Sequence, residues 1–317
     1  MLPYKLRSFI DIDKINWDWL CFNPNAIELF VCGDNLRKGA ALNTAQIRSL
    51  SAYQVSVLTS DQLSQLTTNQ ISVGLTTAQV AALTDAQVKA LTTAQVAAMT
   101  TGQVSNMTTS QMVALSASQV KALETADLAA MGTDQIAALS TANVAALSTA
   151  QVTNMTTNQV ANMTGGQVRA LSKAQVVALT SAQVSNLTTA QVSSLSGVQF
   201  SAIESDDLQS MTSAQLGAIT TEQMKAMTTS QVVALKSDQI TKLGTAQIAA
   251  LSVAQVKAIE TVDLNAMGTD QIQALSPTSI AGMSTAQVSN LSNAQLSALT
   301  TAQVRNLTTE QLGALTT

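Results

Sequence analysis

Residues 76 to 99 read TTAQVAAL (76–83), TDAQVKAL (84–91) and TTAQVAAM (92–99), three copies of one eight-residue beat. The same octad can be followed from Asn43 to Leu315 in thirty-four units, with one extra residue, Gly74, in the unit that begins at Thr67. Aligned, the units give [S/T]-T-A-Q-[V/I/L]-x-A-[L/M]. Position 5 (Val80, Val88, Val96) and position 8 (Leu83, Leu91, Met99) are apolar in every unit. Position 4 is Gln except at Asp127, Asn143, Asp207, Asp263 and Ser279. The pattern predicts two columns pointing inward, with the other positions facing out or turning.

Apolar spacings of three and five in alternation suit neither regular element alone. A strand needs even separations, and Ala, Gln and Met are poor strand formers. An unbroken α-helix fails because eight residues at about 100° each overshoot two turns by about 80°, carrying the apolar stripe off any partner within three units. The helix must therefore stop and restart once per octad. Ser or Thr at position 1 with Gln at position 4 supplies the restart: it is a capping box, in which the hydroxyl takes the N3 amide and the Gln side chain reaches back to the N-cap amide. Ser276-Pro277 supports this frame by placing proline at the first helical position. Where position 1 lacks a hydroxyl, as at Glu124, Gly132, Glu204, Lys236 and Glu260, position 2 carries one. The reading is that the cap moves one residue on. Ala or Asn at position 7 suggests close packing and a left-handed exit.

A helix of under two turns is far too short to be stable alone, so each octad must share its apolar face with neighbours. That is the energetics of a solenoid. The expected fold is all-α: a solenoid of very short capped helices, one per octad, with two octads per layer, one up and one down. Thirty-four units at helix-packing distance would make a rod of about 150 Å. The expected organisation is an aromatic N-terminal cap over residues 1–42, irregular transition repeats over 43–75 and a regular array over 76–317.

Composition narrows function. Only 11% of residues are charged, the formal net charge is −4, and there is no histidine. Nucleic acid binding calls for clustered Lys and Arg, which argues against that partner class, and no apolar run reaches membrane-spanning length. The start, MLPYKLRSFIDIDK, lacks the apolar core of a secretory signal. Cys21 and Cys32 precede the repeats, with no metal-ligand cluster around them; two free thiols are the expectation.

Residues 1 to 42 differ in kind, holding Tyr4, Phe9, Trp17, Trp19, Phe22 and Phe30. KINWDWLCFNPNAIELF (14–30) resembles short repeats of giant-virus proteins built on INWDWL and NPNAIEL phrases, which implies a viral or related source and brings no catalytic residues. The octads resemble Thr/Gln-rich tandem repeats of large bacterial surface or adhesin-like proteins, some of which carry a haem-utilisation label. Haem is not expected here, because there is no His and the methionines lie in core columns. LSKAQVVAL (171–179) echoes the opening helix of TAL-effector repeats, but the longer unit, base-reading loop and positive charge of that family are missing.

One recurrent departure invites chemistry. Glu at position 1 is coupled to Asp at position 4 in Glu124/Asp127, Glu204/Asp207 and Glu260/Asp263. Two carboxylates three apart share a helix face, and calcium takes such oxygen ligands. The plainer account is a cap moved to Thr125, Ser205 and Thr261, with Asp in the first turn where the helix dipole favours it. No metal is therefore assigned, and these six residues are the candidates that remain. No catalytic residue and no cofactor is assigned either. The methionines are read as core fillers.

These readings favour a non-enzymatic structural protein: a rod serving as a fibre, tail, filament or spacer subunit that self-associates end to end, with another structural protein as a further partner. The alternative is a binding or adhesion module that presents a regular Thr/Ser face to a protein, glycan or ice surface. The expected location is the virion or host cytoplasm if the source is viral, and otherwise the cell surface by a non-classical route.

Overall fold

A computed structural model describes residues 42–315 of the chain. The aromatic segment, its expected cap role, Cys21 and Cys32 lie outside the described residues. Every octad forms one short helix of four to six residues, from Thr44–Ser49 to Thr309–Ala314, and no strand occurs among the described residues. No described helix is long and apolar enough to cross a membrane.

Each octad holds itself with very few bonds. In 76–83 the Val80 N–H donates to the Thr76 carbonyl at 3.0 Å, closing one α-turn, and the Leu83 N–H donates to the Val80 carbonyl at 3.1 Å. The reciprocal cap is formed: Thr76 N–H donates to Gln79 Oε1 at 2.7 Å, and Gln79 N–H to Thr76 Oγ1 at 3.2 Å. Proline stands at the start of Pro277–Ala281, as the sequence requires. The frame does not shift where position 1 lacks a hydroxyl. Glu124, Glu204 and Glu260 remain the N-cap residues, without a side-chain cap bond, and the helices begin at Thr125, Ser205 and Thr261. The expected migration of the cap is thus corrected: packing of columns 5 and 8 fixes where each helix starts, and the local hydroxyl follows.

The exit also differs from expectation. C-cap residues are right-handed, as at Ala82 (φ −87°, ψ −6°) and Asn106 (φ −96°, ψ −1°), or extended, as at Leu91 (φ −58°, ψ 135°). A left-handed exit exists to satisfy the orphan carbonyls at a helix end. Here other groups do so. Asn at position 7 donates to the carbonyl of position 3, as from Asn106 to Gly102 and from Asn186 to Ala182, both at 2.8 Å, and the remaining carbonyls are taken by side chains from a distant octad.

The chain divides into two compact units, Met1–Met155 and Thr156–Thr317. Within each, a helix packs on the helix three octads on: Ala117–Ala122 on Thr141–Ala146 in the first, Gly197–Phe200 on Thr221–Ala226 in the second. The expected two octads per layer is corrected accordingly, since between three and four octads complete one turn. Position 8 is extended where it serves as the C-cap, as at Leu91, Leu123 and Leu195, and each helix takes as its packing partner the helix three octads on, not the next one. Columns 5 and 8 fill the interior, with Val80, Val120, Val192 and Leu264 fully enclosed.

The contact between octads three apart is close. Position 2 of one octad meets position 7 of the other: a Cβ on Gly165 would lie 2.6 Å from Ser194 Oγ, one on Gly197 would lie 2.8 Å from the Ala226 Cβ, and one on Gly282 would lie 2.2 Å from Val253 Cγ1. A glycine stands on one side of each of these pairs because no space is left there for a side chain. The extra residue of octad 67–75 is absorbed by a π-turn over Gln70–Gly74, where the Leu75 N–H donates to the Gln70 carbonyl at 3.0 Å. This keeps Leu75 in column 8, buried with its fellows.

Candidate functional site

Column 4 is the feature that the apolar pattern does not reveal. Apart from Gln46 and Gln62, its glutamines are buried, not outward-facing: Gln79, Gln111, Gln167 and Gln223 are each 1–2% exposed. A primary amide can be enclosed so completely only if its polar atoms are satisfied, and these are. Oε1 accepts the N-cap N–H of its own octad. Nε2 crosses to the octad four units earlier and donates to the carbonyls of positions 5 and 8. Gln111 reaches Val80 at 2.9 Å and Leu83 at 2.7 Å. Gln191 reaches Val160 at 2.8 Å and Met163 at 2.7 Å. The same rung is made by Gln135, Gln215, Gln255 and Gln311. One side chain therefore starts its own helix and closes the end of another. The sequence shows the first role through the capping box; the second needs the three-dimensional register.

The rungs continue where a hydroxyl is missing. Gly132, Gly244 and Gly268 have no side chain to cap with, yet their N–H groups still donate to Gln135, Gln247 and Gln271 at 2.8, 2.6 and 2.9 Å. Asn143, one methylene shorter, keeps half a rung by donating to the Leu115 carbonyl at 2.9 Å.

The structure separates the carboxylate pairs. Glu124, Glu204 and Glu260 are exposed, whereas Asp127, Asp207 and Asp263 are 3–5% exposed in column 4. Each Asp accepts a hydroxyl bond from position 2 of the octad three units earlier: Thr101 to Asp127 at 2.7 Å, Ser181 to Asp207 at 2.6 Å and Ser237 to Asp263 at 2.5 Å. A carboxylate cannot donate, so the carbonyls four octads back receive no rung from these units. Among the described residues, no three His, Cys, Asp or Glu side chains gather as a metal ligand set. First-turn acids at position 3 face water instead. Glu310 is held below its ordinary pKa first by a bond to its own backbone N–H and then by the Thr308 hydroxyl. Its small stabilising effect is present above the unfolded pKa and fades as pH falls through the folded value.

The repeat can be placed against known sequences. No curated protein matches the chain. The ALTTAQ repeat model matches residues 40–68, 73–101, 120–157, 160–197, 200–237, 256–293 and 288–317. With well over half of its length covered in this way, the chain belongs to the ALTTAQ repeat family.

Proposed function

We propose that this chain is a non-enzymatic structural protein, a repeat rod that serves as a fibre, tail, filament or spacer subunit and assembles end to end with copies of itself. The observation that carries this reading is the rung of column 4. An octad with Gln in column 4 donates its amide to two carbonyls of the octad four units back, and offers its own carbonyls of positions 5 and 8 to the octad four units on. Such a surface is self-complementary along one direction, the property from which filaments grow.

The N-terminal likeness to giant-virus repeats gives this proposal a virion or host-cytoplasm setting, and the adhesin-like resemblance of the octads a cell-surface one.

Negative-stain images and sedimentation of the purified chain test the reading. Filaments whose length grows with protein concentration are expected. Monodisperse particles at every concentration would contradict end-to-end assembly.

One observation favours the second reading, a binding module. A cleft lined by Arg169, Ser193, Ser196, Thr221 and Glu222 combines hydroxyls with one charge of each sign, which suits a hydroxylated ligand such as a glycan. A monomer that retains a glycan, and loses it in Arg169→Ala, would support this reading over the filament.

A further inference from the structure

Octad 124–131 encloses a carboxylate oxygen without a donor, beside two carbonyls that receive no column-4 amide. Asp127 occupies the place where an amide stands in most other octads. It is 3% exposed, its Oδ1 accepts the Thr101 hydroxyl at 2.7 Å, and its Oδ2 is buried with no hydrogen-bond partner. By the register that holds for Gln119 and Gln135 on either side, a Gln at this position would reach the carbonyls of Val96 and Met99. The Val96 carbonyl accepts the Met99 N–H, but neither carbonyl receives an amide from column 4. Octads 92–99, 100–107 and 148–155, which neighbour the site in the stack, contain no Lys or Arg. Enclosing a carboxylate without a counter-charge is strongly unfavourable. Glu124, three residues earlier, is exposed and makes no cap bond, so its side chain is available to turn toward the same point.

We propose that octad 124–131 binds a divalent cation of the calcium class. Its ligands are Asp127 Oδ2, the Glu124 carboxylate after a change of rotamer, and the Val96 and Met99 carbonyls, with water completing the shell. The two carboxylates balance the charge of the ion. Calcium accepts mixed carboxylate and carbonyl oxygens in irregular arrangements, whereas magnesium demands a near-ideal octahedron. Asp207 and Asp263 take the same hydroxyl bond, but neither has a buried oxygen without a partner, so the inference is confined to Asp127.

Calcium titration of the full chelator-treated chain, followed by calorimetry and thermal melting, tests this. Asp127→Gln restores the family's own amide at that position and so keeps the fold. The wild-type chain should bind calcium and melt at a higher temperature in its presence. Asp127→Gln should lose one equivalent of binding, and Glu124→Gln should weaken binding several-fold. Absence of calcium binding in the wild type, or unchanged stoichiometry in Asp127→Gln, would overturn the proposal. So would a wild-type stability that ignores calcium.

Discussion

Octads 188–195 and 124–131 share a frame and differ in one column. Val192 and Leu128 are both fully enclosed, and Leu195 and Met131 nearly so. In both, a helix of six residues begins at position 2 and ends before position 8. The first has the whole cap and the whole rung: Thr188 bonds reciprocally with Gln191, whose amide also closes the end of octad 156–163. The second has neither, because Glu124 makes no cap bond and Asp127 has no donor to give. That the helix nonetheless occupies the same place shows which physics sets the frame. Columns 5 and 8 position the octad; column 4 straps it to the one four units back.

The largest effect should come from breaking what the two octads share. Val192→Asp places an uncompensated charge in the enclosed column, a cost of about 4 kcal/mol or more. In a linear array this should split thermal melting into separate steps, and a single unchanged transition by calorimetry would contradict the solenoid energetics. Removing what only the first octad has should cost less. Gln191→Ala leaves the Met163 carbonyl and the Thr188 N–H without their amide partner and leaves the Val160 carbonyl only its bond from the Met163 N–H, with an expected loss of about 3 kcal/mol in urea unfolding. Thr188→Ala removes only the cap hydroxyl and should cost about 1 kcal/mol. Equal losses in these two variants would show that the rung contributes nothing beyond the cap. A finer test addresses the seam between octads three apart. Gly282→Ala drives a methyl into Val253 and should cost about 1 kcal/mol; Val253→Ala in the same chain should recover most of it, and full additivity in the double-mutant cycle would deny the contact.

Much of this was legible in the sequence, for physical reasons. The octad length forbids a continuous helix, the apolar columns name the core, and Thr-x-x-Gln names the restart, so helix boundaries such as Thr77–Ala81 follow from residues 76–83 alone. Three features were not legible. The burial of Gln79 depends on carbonyls of Ile47 and Leu50, about thirty residues away, and a polar residue in a repeat gives no local sign of so distant a partner. The number of octads per turn depends on the exit angle at position 8, where Leu or Met permits more than one backbone conformation. The fate of the Glu/Asp octads depended on the same hidden rung: once column 4 is known to be interior, Asp127 ceases to be a surface first-turn acid and becomes an enclosed one.

Octads stack on those three and four apart, and a designed crosslink tests that register most directly. A Cβ at Gly165 would stand 3.4 Å from that of Ser194, close to the separation that a disulfide requires. In a chain with Cys21 and Cys32 replaced by Ser, the pair Gly165→Cys and Ser194→Cys should oxidise readily to an intramolecular disulfide without loss of helicity. The pair Gly165→Cys and Asn186→Cys, which two octads per layer would bring together, should not. Crosslinking of the second pair in preference to the first would contradict the fold described for this protein.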